Sequence, residues 1–117
     1  MTLKEWKRPK ELKGHTEKII TEEGTLFFTK NYEDDKLIEV RGWIGRTATL
    51  GSIMVDSVCK FISIILQSQM PRYKIVKKFK KQFTDMNIGM PTFKHDDKEY
   101  GWSVDFIIKQ VIEELDK

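Results

Sequence analysis

The longest apolar stretch of the chain runs from Leu50 to Leu66, and it limits the folds that are open to this sequence. Apolar residues occupy positions 50, 53, 54, 55, 58, 59, 61, 62, 64, 65 and 66. A stretch of this length favours a helix over a strand. A surface helix needs an apolar face of only about 100°, whereas these positions cover well over one face. We therefore predict a long central helix that is buried on two sides.

The size of the chain restricts what can cover that helix. A chain of 117 residues is within the usual size of one domain. One small sheet and two further helices can cover only one side of the long helix, so the other side is expected to meet a copy of the protein. The sequence therefore predicts a homo-oligomer. The predicted contact between copies uses four side chains: Met54, Val58, Phe61 and Ile65.

Three strands are predicted before the long helix. Residues 18–21 and 25–30 flank Gly24, which can take the positive φ that a hairpin turn needs. A second turn over residues 32–36 leads into residues 37–44, where polar and apolar residues alternate with a period of two. In this last strand Ile38, Val40, Gly42 and Ile44 share one face. The pattern predicts an antiparallel three-stranded meander over residues 16–44.

Two shorter helices are predicted after the long one. Pro71 opens a basic helix in the first-turn position that proline favours, and Ser103 is an N-cap for a last amphipathic helix. Residues 84–101 between them are predicted to form a long irregular loop. The predicted fold is α+β: a small antiparallel three-stranded sheet followed by about three helices, one long and central. Residues 1–14 are assigned to an N-terminal arm and residues 15–117 to a single domain.

Composition narrows the class and compartment of the protein. Hydrophobic residues make up 39% and aromatic residues 11%, which is too much for a disordered chain. The single cysteine, Cys59, excludes an internal disulfide and any zinc site built on several thiolates. No run reaches the roughly 18 apolar residues of a membrane span, and the first residues lack a signal-peptide core. We expect a cytoplasmic protein without membrane contact.

Positive charge is concentrated in the basic helix. Six lysine and arginine residues and no acid lie between residues 71 and 82, whereas the net charge of the whole chain is only +3. The rest of the chain is therefore net acidic. A basic segment on such a body indicates a local anion site, so nucleic acid is not the expected partner.

No catalytic constellation is complete in the sequence. Cys59 lies among apolar residues, where a cysteine is usually an inert core residue. His95, Asp96 and Asp97 carry side chains that can ligate a metal, but neighbours in a charged loop are more often solvated. The common phosphate-loop and hydrolase motifs are absent. We expect no enzymatic activity, no metal and no cofactor, although a site built across a subunit interface stays open.

Two segments are candidates for binding an anion. Residues 45–52 lead into the long helix, where free backbone N–H groups and the helix dipole attract anions and Arg46 adds a guanidinium. An ordinary strand-to-helix turn explains these residues equally well. The basic helix carries like-charge pairs such as Lys74–Lys78, whose repulsion a bound polyanion would offset. A solvated lysine face is the alternative there.

The order of these motifs resembles the TSCPD domain, the C-terminal domain of vitamin B12-dependent ribonucleotide reductases. The resemblance begins with the pattern Arg-Pro-x-x-Leu-x-Gly-x-Thr-x-Lys over residues 8–18. It continues through Gly24, Leu26, Thr29, Glu39-Val40, Gly45-Arg46, Ile62-Ser63, Leu66-Gln67, Met70-Pro71 and Ser103-Val104 with Asp105-Phe106-Ile107. The last element has one residue fewer before the aspartate. The resemblance covers about residues 8–115.

The resemblance implies binding rather than catalysis. The sequence holds neither the catalytic barrel nor the C-terminal cysteine pairs of such reductases, so a reductase reaction is not implied. Similar in size and in order of elements is the phage Thoeris anti-defence sponge family, which sequesters cyclic ADP-ribose isomers and, in some members, cyclic oligonucleotides. That family forms dimers and hexamers and does not cleave its ligand. The alternative is an accessory or regulatory domain of a ribonucleotide reductase, or a nucleic-acid-binding module.

The chemistry of the side chains suggests where a doubly phosphorylated cyclic nucleotide would bind. The predicted site, placed between subunits, combines cations for the phosphates, aromatic rings for the bases and one amide for a base edge. The predicted phosphate partners are Arg46, Arg72, Lys77 and Lys109; the predicted stacking residues are Phe83 and Phe93, and the amide is that of Asn87.

Overall fold

The computed structural model describes residues 5–21, 23–45, 50–83 and 92–117. The elements, in chain order, are β1 (Lys13–Thr21), β2 (Gly24–Glu33), β3 (Lys36–Ile44), α1 (Leu50–Leu66), α2 (Arg72–Gln82), β4 (Phe93–His95), β5 (Lys98–Tyr100) and α3 (Ser103–Leu115). An antiparallel sheet of order β1-β2-β3 precedes three helices, the longest being α1. The predicted α+β fold is confirmed.

The first strand begins at Lys13, inside the segment that was assigned to an N-terminal arm. Earlier residues contact the sheet, since the Trp6 indole N–H donates to Glu33 at 3.0 Å and Arg8 forms an ion pair with Glu39 at 3.0 Å. The boundary between arm and domain stays a prediction.

The helix α1 packs directly on β3, and Gly42 is the residue that permits this. A Cβ atom added at Gly42 would lie 3.0 Å from a Val55 methyl group and 3.1 Å from the Cys59 sulfur. Both neighbours belong to the buried face of α1 and are at most 1% exposed. The predicted face of β3 is confirmed, because Ile38, Val40 and Ile44 are buried with Gly42.

Side chains of the helical layer cap the free edge of β3. Ser63 Oγ accepts a hydrogen bond from the Val40 N–H at 3.0 Å and lies 2.9 Å from the Val40 carbonyl oxygen. Gln67 Nε2 donates to the Ile38 carbonyl at 3.3 Å, and Arg72 donates to the Leu37 carbonyl at 2.6 Å. The edge from Leu37 to Val40 is therefore hydrogen-bonded without a fourth strand.

The last helix, α3, covers the middle of the sheet. Phe106 meets Phe28 of β2 edge-on, with the ring centroids 6.1 Å apart. Toward the other end of α3, Glu114 and Lys30 form an ion pair of 3.2 Å in which both side chains are at most 15% exposed. Together α1, α3 and the buried residues Ile75 and Phe79 of α2 form the helical side of the core.

The prediction of an irregular loop over residues 84–101 is wrong for its second half. Residues 93–95 and 98–100 form the antiparallel hairpin of β4 and β5. Asp96 and Asp97 make the turn with φ values of 52° and 64°, in the left-handed region that aspartate tolerates better than most residues. An Asp-Asp pair with the same geometry, Asp34 and Asp35, joins β2 to β3. Residues 84–91 lie outside the described part of the chain.

No helix within the described ranges has both the length and the apolar character that a membrane span requires.

Because Gly42 sets the distance between α1 and β3, the substitution Gly42→Ala is expected to lower the free energy of unfolding. Overpacking of a close contact typically costs about 1–3 kcal/mol. Urea denaturation of both proteins measures the difference. The matched control is Gly45→Ala, where an added Cβ would meet no atom closer than 3.7 Å. Equal stability of the two variants would contradict a tight contact at Gly42.

Candidate functional site

A cleft of about 540 Å³ lies between the edge of β3 and one side of α1. Arg41 and Trp43 line it from β3, and Asp56, Lys60 and Ile64 line it from α1. This volume falls within the range of roughly 300–1,000 Å³ that is usual for small-molecule sites. The cleft is the candidate functional site.

Trp43 gives the cleft an accessible aromatic ring. Its side chain lies on the face of β3 opposite the core and stacks on Phe27 of β2, with centroids 5.4 Å apart and planes 18° from parallel. The residue is 45% exposed. Because Phe27 supports one face of the indole, the ring is held in place while part of it stays open to a ligand.

Two cations line the same cleft as this ring. Arg41, two residues before Trp43 on the same face of β3, has a side chain that is 62% exposed. Lys60 of α1 is 74% exposed and lies 2.8 Å from Asp56, one helical turn earlier. An exposed pair of this kind stabilises the fold by less than about 1 kcal/mol, so Lys60 can exchange Asp56 for an anionic ligand at little cost.

Glu39, which also lines the cleft, binds the guanidinium groups of Arg8 and Arg41. Its carboxylate, 8% exposed, accepts hydrogen bonds from Arg8 at 3.0 Å and from the Asn31 amide at 2.8 Å, and it lies 3.5 Å from Arg41. Burial by itself raises the pKa of Glu39. The hydrogen bonds from Arg8 and Asn31 and the nearby positive charges outweigh burial, so this pKa lies below its ordinary value.

Cys59 lies at the floor of the cleft but does not offer a reactive sulfur. Its side chain is 1% exposed, and burial, with the charge of Asp56 as a smaller cause, raises the pKa of the thiol to about 12. A thiol is a nucleophile only as the thiolate, so Cys59 is protonated and inert near neutral pH. The prediction that it is a core residue is confirmed.

The expected anion site at the start of α1 is close to an anion of the protein itself. Glu23, in the turn between β1 and β2, accepts hydrogen bonds from the Ser103 N–H at 2.9 Å and from its hydroxyl at 2.7 Å. The helix α3 begins at Ser103, as predicted, but its N-cap residue is Trp102, so the prediction that Ser103 is the N-cap is wrong. The other carboxylate oxygen of Glu23 lies 2.8 Å from the point that a Cβ on Gly51 would occupy. One carboxylate thus lies near the positive ends of two helix dipoles.

The five predicted ligand residues that lie within the described ranges do not converge on the β3–α1 cleft. Arg46 and Asn87 lie outside the described residues. Arg72 is engaged with the Leu37 carbonyl, and burial lowers the pKa of its guanidinium. Lys77 is exposed on α2, and Phe83 follows that helix half-buried, 5.9 Å from the Phe79 ring.

The other two predicted ligand residues lie near Tyr100. Phe93 is 5% exposed and lies 5.7 Å from the Tyr100 ring. Lys109 is 5.8 Å from the same ring and 3.0 Å from the Asp105 carboxylate. Roles in ligand binding for these residues stay predictions.

The four predicted interface residues line one side of α1. Met54, Val58, Phe61 and Ile65 border an apolar cleft of about 340 Å³ that α2 and α3 share. Val58 and Ile65 are partly buried against the core, whereas Phe61 is 66% exposed. Three further apolar residues of α1, which the interface prediction did not include, are more than half exposed: Leu50, Ile53 and Ile64.

The sequence analysis named His95, Asp96 and Asp97 as neighbouring side chains that can ligate a metal. In the structure the group consists of His95, Asp96 and Glu17. His95 Nε2 lies 3.0 Å from Glu17 of β1 and 3.5 Å from Asp96, while the predicted Asp97 is not part of the group. The ring also meets Phe106 edge-on at 5.4 Å. An Nε2–H donating to Glu17 accounts for this geometry without an ion, and the group joins the β4–β5 hairpin to the sheet.

The lowered pKa of Glu39 predicts how acid acts on the Arg8 contact. A group whose pKa is depressed by folding adds stability above its unfolded pKa, near 4.3 for glutamate, and loses it as the pH falls toward the folded value. Arg8→Ala should therefore be less stable than the wild type at pH 7, and the difference should shrink as the pH falls below about 5. Urea titrations at several pH values measure it, with exposed Lys10→Ala as control. A difference that grows in acid would contradict this role of Arg8.

Comparison with known proteins gives one match. The family model of the TSCPD domain matches residues 1–115. No curated protein and no solved structure matches the chain.

Proposed function

The chain belongs to the TSCPD-domain family, and from that premise we propose that it is a non-catalytic binding protein that sequesters a cyclic nucleotide. The ligand class is a cyclic ADP-ribose isomer or a cyclic oligonucleotide, as in the phage Thoeris anti-defence sponges that the sequence resembles. The binding unit is a homo-oligomer, and the working compartment is the cytoplasm. The observation that carries the proposal is the β3–α1 cleft, which combines an accessible indole with two exposed cations.

The side chains of the cleft match the chemistry of such a ligand. Arg41 and Lys60 supply positive charge for two phosphates, and the planar fork of arginine suits phosphate oxygens. Trp43 offers a ring for a base, and stacking of a base on an aromatic side chain contributes about 1–3 kcal/mol. Charge-assisted contacts together with stacking are sufficient for tight capture, and capture needs no chemical step.

The groups near the cleft favour binding over turnover. The Cys59 thiol is protonated near neutral pH, and Asp56 is half exposed and paired with Lys60. Neither has the activated environment of a nucleophile or a general base. These observations support a sponge, and the products of an incubation decide between sponge and enzyme.

A second candidate function rests on α2. Lys74, Lys77, Lys78 and Lys81 are exposed, and none of them forms an ion pair within the described ranges. A lysine face of this kind suits a nucleic-acid backbone. Binding there would weaken steeply with salt, since phosphate contacts release counterions.

The direct test mixes the protein with cyclic ADP-ribose isomers, removes free ligand, denatures the protein and identifies what is released. Intact nucleotide is the expected result. Release of altered nucleotide would show that the protein is an enzyme and not a sponge. If the protein retains neither cyclic ADP-ribose isomers nor cyclic oligonucleotides, the proposal is overturned. Retention of a nucleic-acid duplex that is lost in a fourfold Lys→Ala variant of α2 would favour the second candidate.

The cleft is tested by the substitution Trp43→Ala. Loss of a stacking contact of about 1–3 kcal/mol predicts an affinity about 5- to 150-fold weaker by isothermal titration calorimetry. The matched control is Tyr73→Ala, which removes a 71% exposed aromatic ring from α2 and should leave affinity unchanged. Circular dichroism checks that both variants are folded. Equal losses in the two variants would place the ligand elsewhere.

A further inference from the structure

The side of α1 that faces away from the sheet carries an exposed stripe with symmetric spacing. Its members are Leu50, Ile53, Ser57, Phe61 and Ile64. At about 100° per residue they fall within an arc of roughly 80°. The four apolar members are 74%, 57%, 66% and 64% exposed, in chain order. The intervals between members are three, four, four and three residues. The spacing is therefore the same from either end of the stripe.

This symmetry identifies the partner. We propose that a second copy of the chain docks on the stripe, with the two α1 helices antiparallel and a two-fold axis passing near Ser57. Leu50 of one copy then meets Ile64 of the other, Ile53 meets Phe61, and the two Ser57 residues face each other. The proposal rests on the proposed function, because it specifies the contact within the homo-oligomer.

The residue at the centre suits a helix crossing. Ser57 is the small member of the stripe, and small residues let two helices approach closely while larger neighbours interlock on either side. An identical patch on both partners is what a two-fold interface requires. The large exposed apolar side chains would lose their contact with water in that arrangement, which is the driving force for association.

Charges beside the stripe favour the antiparallel arrangement. Asp56 precedes Ser57 by one residue and Lys60 follows it by three, and the two form an ion pair of 2.8 Å within one chain. At 1.5 Å per residue, an antiparallel pair places Asp56 about 3 Å along the axis from the partner's Lys60. A parallel pair, whose two-fold axis runs along the helices, would place these charges on opposite sides of the seam, so Asp56 would have no Lys60 of the partner beside it. The antiparallel pair is therefore charge-complementary and the parallel pair is not.

The arrangement also fixes where the two binding clefts lie. The two-fold axis is perpendicular to both helices. The flank of α1 that bears Lys60 therefore lies on the same face of the helix pair in both copies. Each β3–α1 cleft, which Lys60 and Ile64 line, then opens beside the seam between the copies. A ligand held by Lys60 would therefore bind close to the second subunit.

The test uses variants that each carry one added cysteine. Two variants with different affinity tags are co-expressed and then treated with a short bismaleimide, which cross-links cysteines that lie close together. Leu50→Cys is expected to cross-link to Ile64→Cys of the partner and not to itself, and Ser57→Cys is expected to cross-link to itself. Native Cys59 stays in every variant because it is buried and its thiol is protonated. The control is Ile20→Cys on the outer face of the sheet, 65% exposed, which should not cross-link.

Each outcome decides something. Cross-linking of Leu50→Cys to itself would replace the antiparallel pair with a parallel one, and an absence of cross-links at every α1 position would overturn the proposal. Nucleotide binding is measured on the same preparations, so the two proposals can fail separately. The expected cross-links without bound nucleotide would contradict only the sponge, and nucleotide binding by a chain that does not cross-link would contradict only the helix pairing.

Discussion

The packing of α1 on β3 is the contact on which the rest of the structure depends. A helix that is apolar around most of its circumference can bury one face against a sheet only if the sheet lets it approach, and Gly42 provides the space between Val55 and Cys59. The same contact brings Ser63 to the free edge of β3, where its hydroxyl bonds to both backbone groups of Val40. The contact between α1 and β3 thus forms the core and satisfies part of the sheet edge. It also determines which apolar residues of α1 remain exposed to solvent.

The outside of α1 explains why binding and assembly are linked in the proposals. One flank of the helix borders the cleft with Arg41 and Trp43, and the side away from the sheet carries the symmetric stripe. Lys60 lies between the two, and within the described part of the chain its ion-pair partner is the exposed carboxylate of Asp56 on the same helix. Ligand capture and pairing of copies therefore use neighbouring surfaces of one element, and a change in one is expected to be felt by the other.

Much of the fold is readable in the sequence because it depends on local patterns. The alternation over residues 37–44 and the long apolar run define β3 and α1, and both agree with the structure. The β4–β5 hairpin was missed because its strands have three residues each, too few for a period to stand out, although the Asp96-Asp97 pair is a turn signal. The alternation also places Arg41 and Trp43 on the same face of β3. This shared face is the signal in the sequence from which the cleft could have been predicted.

The parts that escaped prediction depend on contacts between distant residues. Glu23 and Ser103 are 80 positions apart, and no local pattern shows that a turn carboxylate binds the first residue of the last helix. The predicted interface residues Met54, Val58, Phe61 and Ile65 stay a prediction, and the sequence did not show that Leu50, Ile53 and Ile64 are also exposed, for a related reason. A helix that is apolar all round does not reveal which face meets its own sheet until the sheet is in place.

The most direct measurement is the mass of the wild-type protein in solution, by sedimentation equilibrium at micromolar concentration. The exposed side of α1 predicts a species of two or more chains, that is, a multiple of the 13.9 kDa chain mass. A single species of 13.9 kDa across the accessible concentration range would show that α1 tolerates its apolar surface in water, and it would contradict the assembly on which the binding site is proposed to depend.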